Sequence, residues 1–482
     1  MCEGRKPGGR TPEVGAQRTA GCAQSDFCYS YAVVRLRLRR GVRGRSSRRA
    51  MQSERDSIVG RARRVLIVSD SYPPLTGGAT LATEQLAIGM LEVGWEVLVV
   101  TSWQRGASER EIVNGIRIVR LRGLVSRVGA LSADAHRYTP PPFADPELAW
   151  RLHRVIREFR PTLIHSYGWI TYSVLAVAPR RVPVAVSARD YGYICPKRTL
   201  VRSGKPCSGP SLRKCLVCAP ELYGAPKGFV ATVSVLGQRR WLRSRMSALH
   251  SCSGYMSEKM DEFLLSGKRG KSIKRTVIPD FRPEPGVVSE DTLASFVEQL
   301  PSKPFILFVG ALRLIKGVEI LLEAYAGIAG DRPPLVLIGS RAPDTPKIGT
   351  GITVLHDWPF VAVLEAWRRC LFGVSPSVLP EPLGNVVHEG MSQGKAVIGT
   401  VPGGHGSMIT DGVTGLLVPS GDVVQLRHAM VRLISDEELR ERLGSKGKER
   451  AKDFTREVCL PRFRRLYEET VDGSASRRLE GD

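Results

Sequence analysis

Val65-Leu66-Ile67-Val68-Ser69 is a run of five residues with four large apolar side chains in a row. Such a run has no period of two, the pattern of a parallel strand buried on both faces. It is followed by the loop Tyr72-Pro73-Pro74-Leu75-Thr76-Gly77-Gly78-Ala79. Residues 80–93 then read as a helix, with Leu81, Leu86, Met90 and Leu91 broadly on one side, and 96–101 (EVLVVT) as the next strand. Strand, helix and strand within about 40 residues make a βαβ unit.

Further strands are expected at 115–121, 163–165 and 182–187, with a helix over 146–159 carrying Leu148, Leu152, Val155, Ile156 and Phe159. The pattern then restarts. Strands are expected at 304–310, 334–338, 371–375, 396–400 and 415–418, helices at 317–327 and 361–370, and a last long helical stretch over 436–469. The fold class is therefore α/β, with two Rossmann-like doubly wound domains facing across a cleft. Ligands of such sheets bind outside the carboxyl ends of the strands.

The expected division has five parts. Residues 1–60 form a disordered basic tail, with Met51 as an alternative true start. Residues 61–285 form an N-terminal Rossmann-like domain, and 286–454 a C-terminal Rossmann-like domain. Residues 455–470 form a helix crossing back to the N-terminal domain, and 471–482 a disordered tail. An organelle transit peptide is a third reading of the first segment, which is Arg-rich and acid-poor.

The chain has 482 residues, 71 basic and 47 acidic, a net charge of +24. Residues 1–50 alone hold 12 basic and 3 acidic residues. The remaining excess suits phosphorylated substrates or an anionic membrane surface. No zinc-finger, homeodomain or RNP1-type pattern supports nucleic acid as a partner. No run of 18 apolar residues suggests a membrane-spanning helix. Arg35, Arg37, Arg39 and Arg40 interrupt the one candidate signal segment, and ten cysteines are too few for a disulfide scaffold. The expectation is a reducing, cytoplasmic setting, peripheral to the inner face of the membrane.

The strongest chemical signal runs from Ser375 to Gly390, SPSVLPEPLGNVVHEG. Glu381 sits in a Pro/Gly turn after a strand, and Glu389 sits inside the helix that opens near Gly384. A helix N-terminus offers free N–H groups and partial positive charge to phosphate. Glu381 can grip sugar hydroxyls, and Glu389 can accept hydrogen bonds from ribose. Leu383, Gly384 and Asn385 offer backbone to the sugar or phosphate. Downstream stand Gly394-Lys395-Ala396-Val397, Gly403-Gly404 and Asp411-Gly412-Val413-Thr414-Gly415-Leu416-Leu417-Val418.

In this ordered set the chain resembles the retaining glycosyltransferases of family 4, "group 1", over roughly residues 64–470. The resemblance implies the GT-B fold, a nucleotide-sugar donor on the C-terminal domain and an acceptor on the N-terminal one. It also implies that the leaving diphosphate itself deprotonates the acceptor hydroxyl on the same face.

Growing charge on a diphosphate must be stabilised. The chain has no Asp-x-Asp pair to hold a metal, and Lys316 in Gly310-Ala311-Leu312-Arg313-Leu314-Ile315-Lys316-Gly317 fits the role instead. The family commonly has Arg directly after this glycine. Ala311 stands there, so Arg313 is the candidate replacement. Gly77 and Gly78 allow backbone N–H groups close to the donor. Relatives often show His-Asp where this chain has Arg189-Asp190. Arg189 cannot be a base, but can hold phosphate or orient an acceptor, with Asp190 beside it.

Cys195, Cys207, Cys215 and Cys218 suit a structural zinc site, redox or disulfide use, or plain thiols. Arg239, Arg240, Trp241, Arg243 and Arg245 suit either an anionic membrane or a solvated helix face. Taken together, the expected activity is metal-independent, retaining transfer of a hexosyl or related group. No cofactor is expected for catalysis beyond the donor substrate, with structural zinc as one reading of the cysteines. The acceptor would be a glycan, lipid-linked or small molecule. A phosphorylase, an epimerase and a nucleotide-binding scaffold are the alternatives.

Overall fold

A computed structural model describes residues 63–479, apart from 76, 128–138, 268–271, 283–285 and 287. The expectations for residues 1–60 lie outside the described residues.

The first sheet contains β1 (Arg64–Ser69), β2 (Glu96–Ser102), β3 (Arg110–Val113), β4 (Ile116–Leu121), β5 (Leu163–Tyr167) and β6 (Val184–Ala188). A short hairpin, β7 (Val201–Arg202) with β8 (Lys205–Pro206), interrupts it, and β9 (Ala248–Ser251) and β10 (Lys274–Val277) complete it. Its order is β10-β9-β6-β5-β1-β2-β4-β3, parallel except for the antiparallel edge strand β3. The second sheet is built from β11 (Ile306–Val309), β12 (Leu335–Ile338), β13 (Thr353–Leu355), β14 (Phe372–Val374), β15 (Val397–Val401) and β16 (Leu416–Pro419). It is wholly parallel, in the order β13-β12-β11-β14-β15-β16. The two doubly wound domains of the α/β reading are both present.

The apolar run of β1 is explained by burial on both faces. Leu66 and Val68 pack into one core cluster, Val65 and Ile67 into another. β11 does the same, with Leu307 on one side and Ile306 and Phe308 on the other.

The helical stretch expected over 436–469 is divided. A helix over Glu437–Ala451 gives way to a 3-10 turn at Lys452–Phe454, and a second helix spans Arg456–Leu479. This last helix continues nine residues into the stretch expected as a tail from 471. Gly473 there costs about 1 kcal/mol relative to Ala, too little to end a helix already anchored upstream.

That anchor is a stripe of Cys459, Leu460, Phe463, Leu466 and Tyr467, spaced for one helical face and buried against the first domain. Leu460 lies so close to the helix Gly78–Glu92 that a Cβ on Gly89 would come within 2.6 Å of its Cδ1. Tyr467 meets Trp95 edge-on with ring centroids 5.4 Å apart.

Tyr467 also enters a buried polar chain. His250 Nε2 lies 2.7 Å from the Ile278 carbonyl, and must donate because a carbonyl only accepts. His250 Nδ1 therefore accepts from the Ser187 hydroxyl at 2.7 Å. Ser187 in turn accepts from His165 Nε2 at 2.6 Å, and His165 Nδ1 accepts from Tyr467 at 2.6 Å. Each donor is fixed by the next acceptor. Burial and the nearby Arg189 hold both imidazoles neutral, His250 down at about 3 and His165 well below its ordinary value.

Candidate active site

β14 ends at Val374, and the chain turns through Ser375-Pro376-Ser377 to Glu381 before the helix Asn385–Ser392 begins. Gly384 caps that helix at φ 89°, and a Cβ there would stand 2.3 Å from the His405 ring. Gly403 and Gly404 let the next loop close on the Glu381 turn. A Cβ on Gly403 would stand 2.9 Å from the Glu381 amide, and Gly404 N–H donates to the Glu381 carbonyl at 2.6 Å.

The Glu381 carboxylate accepts from Lys316 Nζ at 2.7 Å and from the Ser377 hydroxyl. Burial pushes its pKa up, but Lys316, His405 and Ser377 outweigh that and hold it below the usual range. Lys316 is placed by Gly317, which takes φ 74° directly against the Pro376 carbonyl. His405 Nδ1 accepts from Thr400 N–H at 3.0 Å, leaving Nε2 to donate to Ser375 at 3.3 Å. Burial lowers the His405 pKa to about 4 despite Glu381, so the imidazole is neutral. The result is a charged pair at the strand's carboxyl end, set on glycine turns.

The two domains meet here. Tyr191 donates to the Pro380 carbonyl at 2.7 Å. A Cβ on Gly78 would stand 3.3 Å from Asn385 Nδ2. The structure thus brings Gly77-Gly78, Asn385, Lys316 and Glu381 to the interdomain face. Asn385 Oδ1 is buried without a hydrogen-bond partner among the described residues, a cost of about 1–3 kcal/mol that a bound donor group would relieve. Leu383 is buried beneath the turn.

Glu389 is 2% exposed and ion-paired with Arg282, whose guanidinium also lies over Phe360. Burial raises its pKa and Arg282 opposes that. Two residues earlier, Asp280 pairs with Arg189 at 2.8 Å. The segment joining the domains is therefore tied to both by charge.

Other expectations are corrected. Arg189 is 6% exposed, with Nε on Asp280 and Nη1 on Thr83 at 2.9 Å, so its charge is spent inside the fold and not offered to an acceptor or phosphate. Asp190 accepts from Arg198, from the Tyr167 hydroxyl and from Gly192 N–H, and Arg198 also bonds Asp70. Arg313 directs its guanidinium to Asp344 at 2.8 Å, half exposed, and does not join Lys316 at Glu381.

Cys195, Cys207, Cys215 and Cys218 do line one cavity, of about 20 Å³. All four thiols are free, and no three His, Cys, Asp or Glu side chains among the described residues gather as a metal requires. The zinc expectation is not supported by this packing.

The basic cluster after residue 238 faces inward. Arg245 donates to the carbonyls of Leu175 and Ala178, Arg243 to those of Leu264 and Ser266, and Arg239 to that of Ile194. Trp241 stacks on buried Tyr172. These side chains cap neighbouring backbone and leave Arg240 as the exposed cation of the set. A groove of about 1090 Å³ between Tyr325 and the 344–352 loop contains no expected site residue.

Residues 291–450 match the family model described as glycosyl transferases group 1, and residues 77–269 match a glycosyl transferase 4-like domain. The chain belongs to the group 1 glycosyltransferases. An uncharacterized glycosyltransferase of Methanocaldococcus jannaschii is 37% identical over 174 residues, 35% of this chain and 49% of that protein. The phosphatidyl-myo-inositol mannosyltransferase of Mycobacterium leprae is 29% identical over 206 residues, 40% of this chain and 54% of that protein. The chain spans about half the length of these curated relatives. Sucrose-phosphate synthase from Thermosynechococcus elongatus superposes with a TM-score of 0.64 at 19% identity, over 85% of this chain and 100% of that one. Anabaena HepE in complex with UDP-glucose gives 0.56 at 17% identity, over 85% and 99%. These likenesses establish the GT-B fold.

Sequence reasoning named Lys316, Glu381, Glu389 and the glycine pair as candidates. It assigned no role to Arg282, Tyr191, Arg198 or His405. Tyr191 and His405 adjoin quoted motifs, whereas Arg282 acts on Glu389, and Arg198 on Asp70 besides Asp190, across more than 100 residues.

Proposed function

We propose that this glycosyltransferase-family protein moves a sugar from a nucleoside-diphosphate donor to an acceptor hydroxyl. The transfer retains anomeric configuration and uses no metal. The observation that carries this reading is Lys316 paired with Glu381 on one domain, with Gly78 and the unpartnered Asn385 Oδ1 at the interdomain contact beside them.

In this reading Lys316 stabilises charge growing on the leaving diphosphate, since a cation already held in place by Glu381 lowers the barrier without reorganisation. Glu381, ionised at neutral pH, accepts hydrogen bonds from the donor sugar. Glu389 accepts from the ribose once its carboxylate is shared with or released by Arg282. Backbone N–H groups at Gly77-Gly78 and the start of the helix Asn385–Ser392 face the phosphates. Proton transfer from acceptor hydroxyl to leaving diphosphate needs no protein base, which accords with Arg189 standing where a histidine is common. A hexosyl donor and a glycan, lipid-linked or small-molecule acceptor fit this chemistry.

The test is thermal stabilisation of the full chain by UDP, GDP, ADP and their sugar conjugates. A nucleotide at 100 times its dissociation constant stabilises by about 2.7 kcal/mol. Stabilisation by one base, lost in Lys316→Ala, is the expected result. Stabilisation by inorganic phosphate alone would replace this reading with a phosphorylase.

A further inference from the structure

Between β6 and β9 the N-terminal domain carries an insert of the β7–β8 hairpin and the helices Leu212–Cys218, Pro220–Tyr223 and Ala225–Gly237. Its polarity is turned outward. The helix Ala225–Gly237 buries its small side, with Gly228, Ala231 and Thr232 among the packed residues, and exposes Phe229, Val230 and Val233. Leu212, Val217 and Leu222 on the two preceding helices are exposed as well, Val217 at 65% and Phe229 at 57%. A helix face at a water boundary normally carries polar residues. Large apolar side chains gathered on one insert mark a contact surface.

The charge of the insert identifies the partner. From residue 201 to residue 237 there are five Lys and Arg and one acidic residue, Glu221. Glu221 is already paired with Lys197. Arg202, Lys205, Arg213 and Arg240 are exposed and make no ion pair with any described residue. A second copy of this chain would bring like charge against like charge in a symmetric contact. A nucleic acid would use the cations and leave the apolar side chains in water. An anionic bilayer satisfies both, with headgroups on the cations and the acyl boundary around the apolar residues.

We infer that this insert docks the protein on an anionic lipid surface. The insert begins where β6 ends, in the same loop whose Tyr191 touches the Glu381 turn. The docking itself does not depend on the transfer reaction.

The experiment is co-sedimentation of the full chain with phosphatidylcholine vesicles and with vesicles of equal phosphatidylcholine and phosphatidylglycerol, at low salt. The wild type is expected to bind the mixed vesicles and not the neutral ones. Phe229→Asp with Val233→Asp should lower the partition constant at least roughly tenfold, with an unchanged thermal midpoint. Val217→Asp, on a different helix, gives the same reading if the double variant is unstable. Three outcomes would overturn the inference. The wild type could bind neither vesicle. Both variants could bind as well as wild type, which would assign binding to the basic residues 1–50. The wild type could be a dimer that Phe229→Asp dissociates, with no lipid binding, which would assign the patch to a second copy.

Discussion

The hydroxyl of Tyr191, in the loop after β6, donates to the carbonyl of Pro380, one residue before Glu381. A buried side chain of the first domain thus fixes the height of the turn that carries the proposed sugar-binding carboxylate. Tyr191→Phe removes the donor and strands the carbonyl. It should cost about 1–3 kcal/mol in a urea melt and lower kcat more than it raises KM, since the turn is positioned and not deleted.

Arg282 and Glu389 form the second tie. Arg282→Ala leaves a buried carboxylate unpaired, and should destabilise the protein by roughly 3–5 kcal/mol. Adding Glu389→Gln removes that charge, so the double variant should be more stable than Arg282→Ala alone. A double-mutant cycle measured by denaturant unfolding reads the coupling. Strictly additive losses would show that the pair contributes no interaction energy.

Lys316→Ala should lower kcat by about 10²–10³ if the ammonium meets charge on the leaving diphosphate. Stability should fall less than in Arg282→Ala, because Lys316 is one-third exposed and Glu381 keeps the Ser377 hydroxyl as a donor. Glu381 would lose its main stabilising neighbour, so its carboxylate should titrate at a higher pH in the variant, as read by the acid limb of the rate profile.

Acid should unfold the protein through its buried imidazoles. His165, His250 and His405 are neutral in the fold, with His250 at about 3 and His405 at about 4. In the unfolded chain each takes a proton near pH 6.5. Their folded pKa values are depressed, so the stability they confer is fully present above 6.5. It is lost as pH falls from 6.5 toward 3, by about 1.4 kcal/mol per unit for each unmatched proton. Unfolding free energy measured from pH 7 to pH 4 should show this slope, and His250→Asn should reduce it.

How much of this was legible follows from the range of each interaction. β1 and β11 were readable because strands buried on both faces need unbroken apolar runs. β3 was not, because REIV is a mostly exposed antiparallel edge with no apolar run or alternation to mark it. The Glu381–Glu389 spacing was readable because turn and helix are local. Arg189 was misassigned because its partner Asp280 lies 91 residues on. The arginines after residue 238 looked like a charged face because their acceptors are backbone carbonyls of three other segments, which carry no side-chain signal. The outward apolar face of Ala225–Gly237 was equally hidden. Its composition suits a buried helix, and only the packing tells which side is covered.

The helix Arg456–Leu479 supplies Phe463 and Tyr467 to a core whose other members begin at Val65. The first domain therefore lacks a wall until the helix Arg456–Leu479 is made. Through most of synthesis Trp95, Met90 and Leu86 face an open side, and His165 has no phenol to accept from. Domains commonly finish in the order they emerge; here the earlier one waits for the later one to be completed. A released chain cut before residue 459 would hold one closed sheet and one unfinished sheet, with the unfinished one nearer the amino terminus.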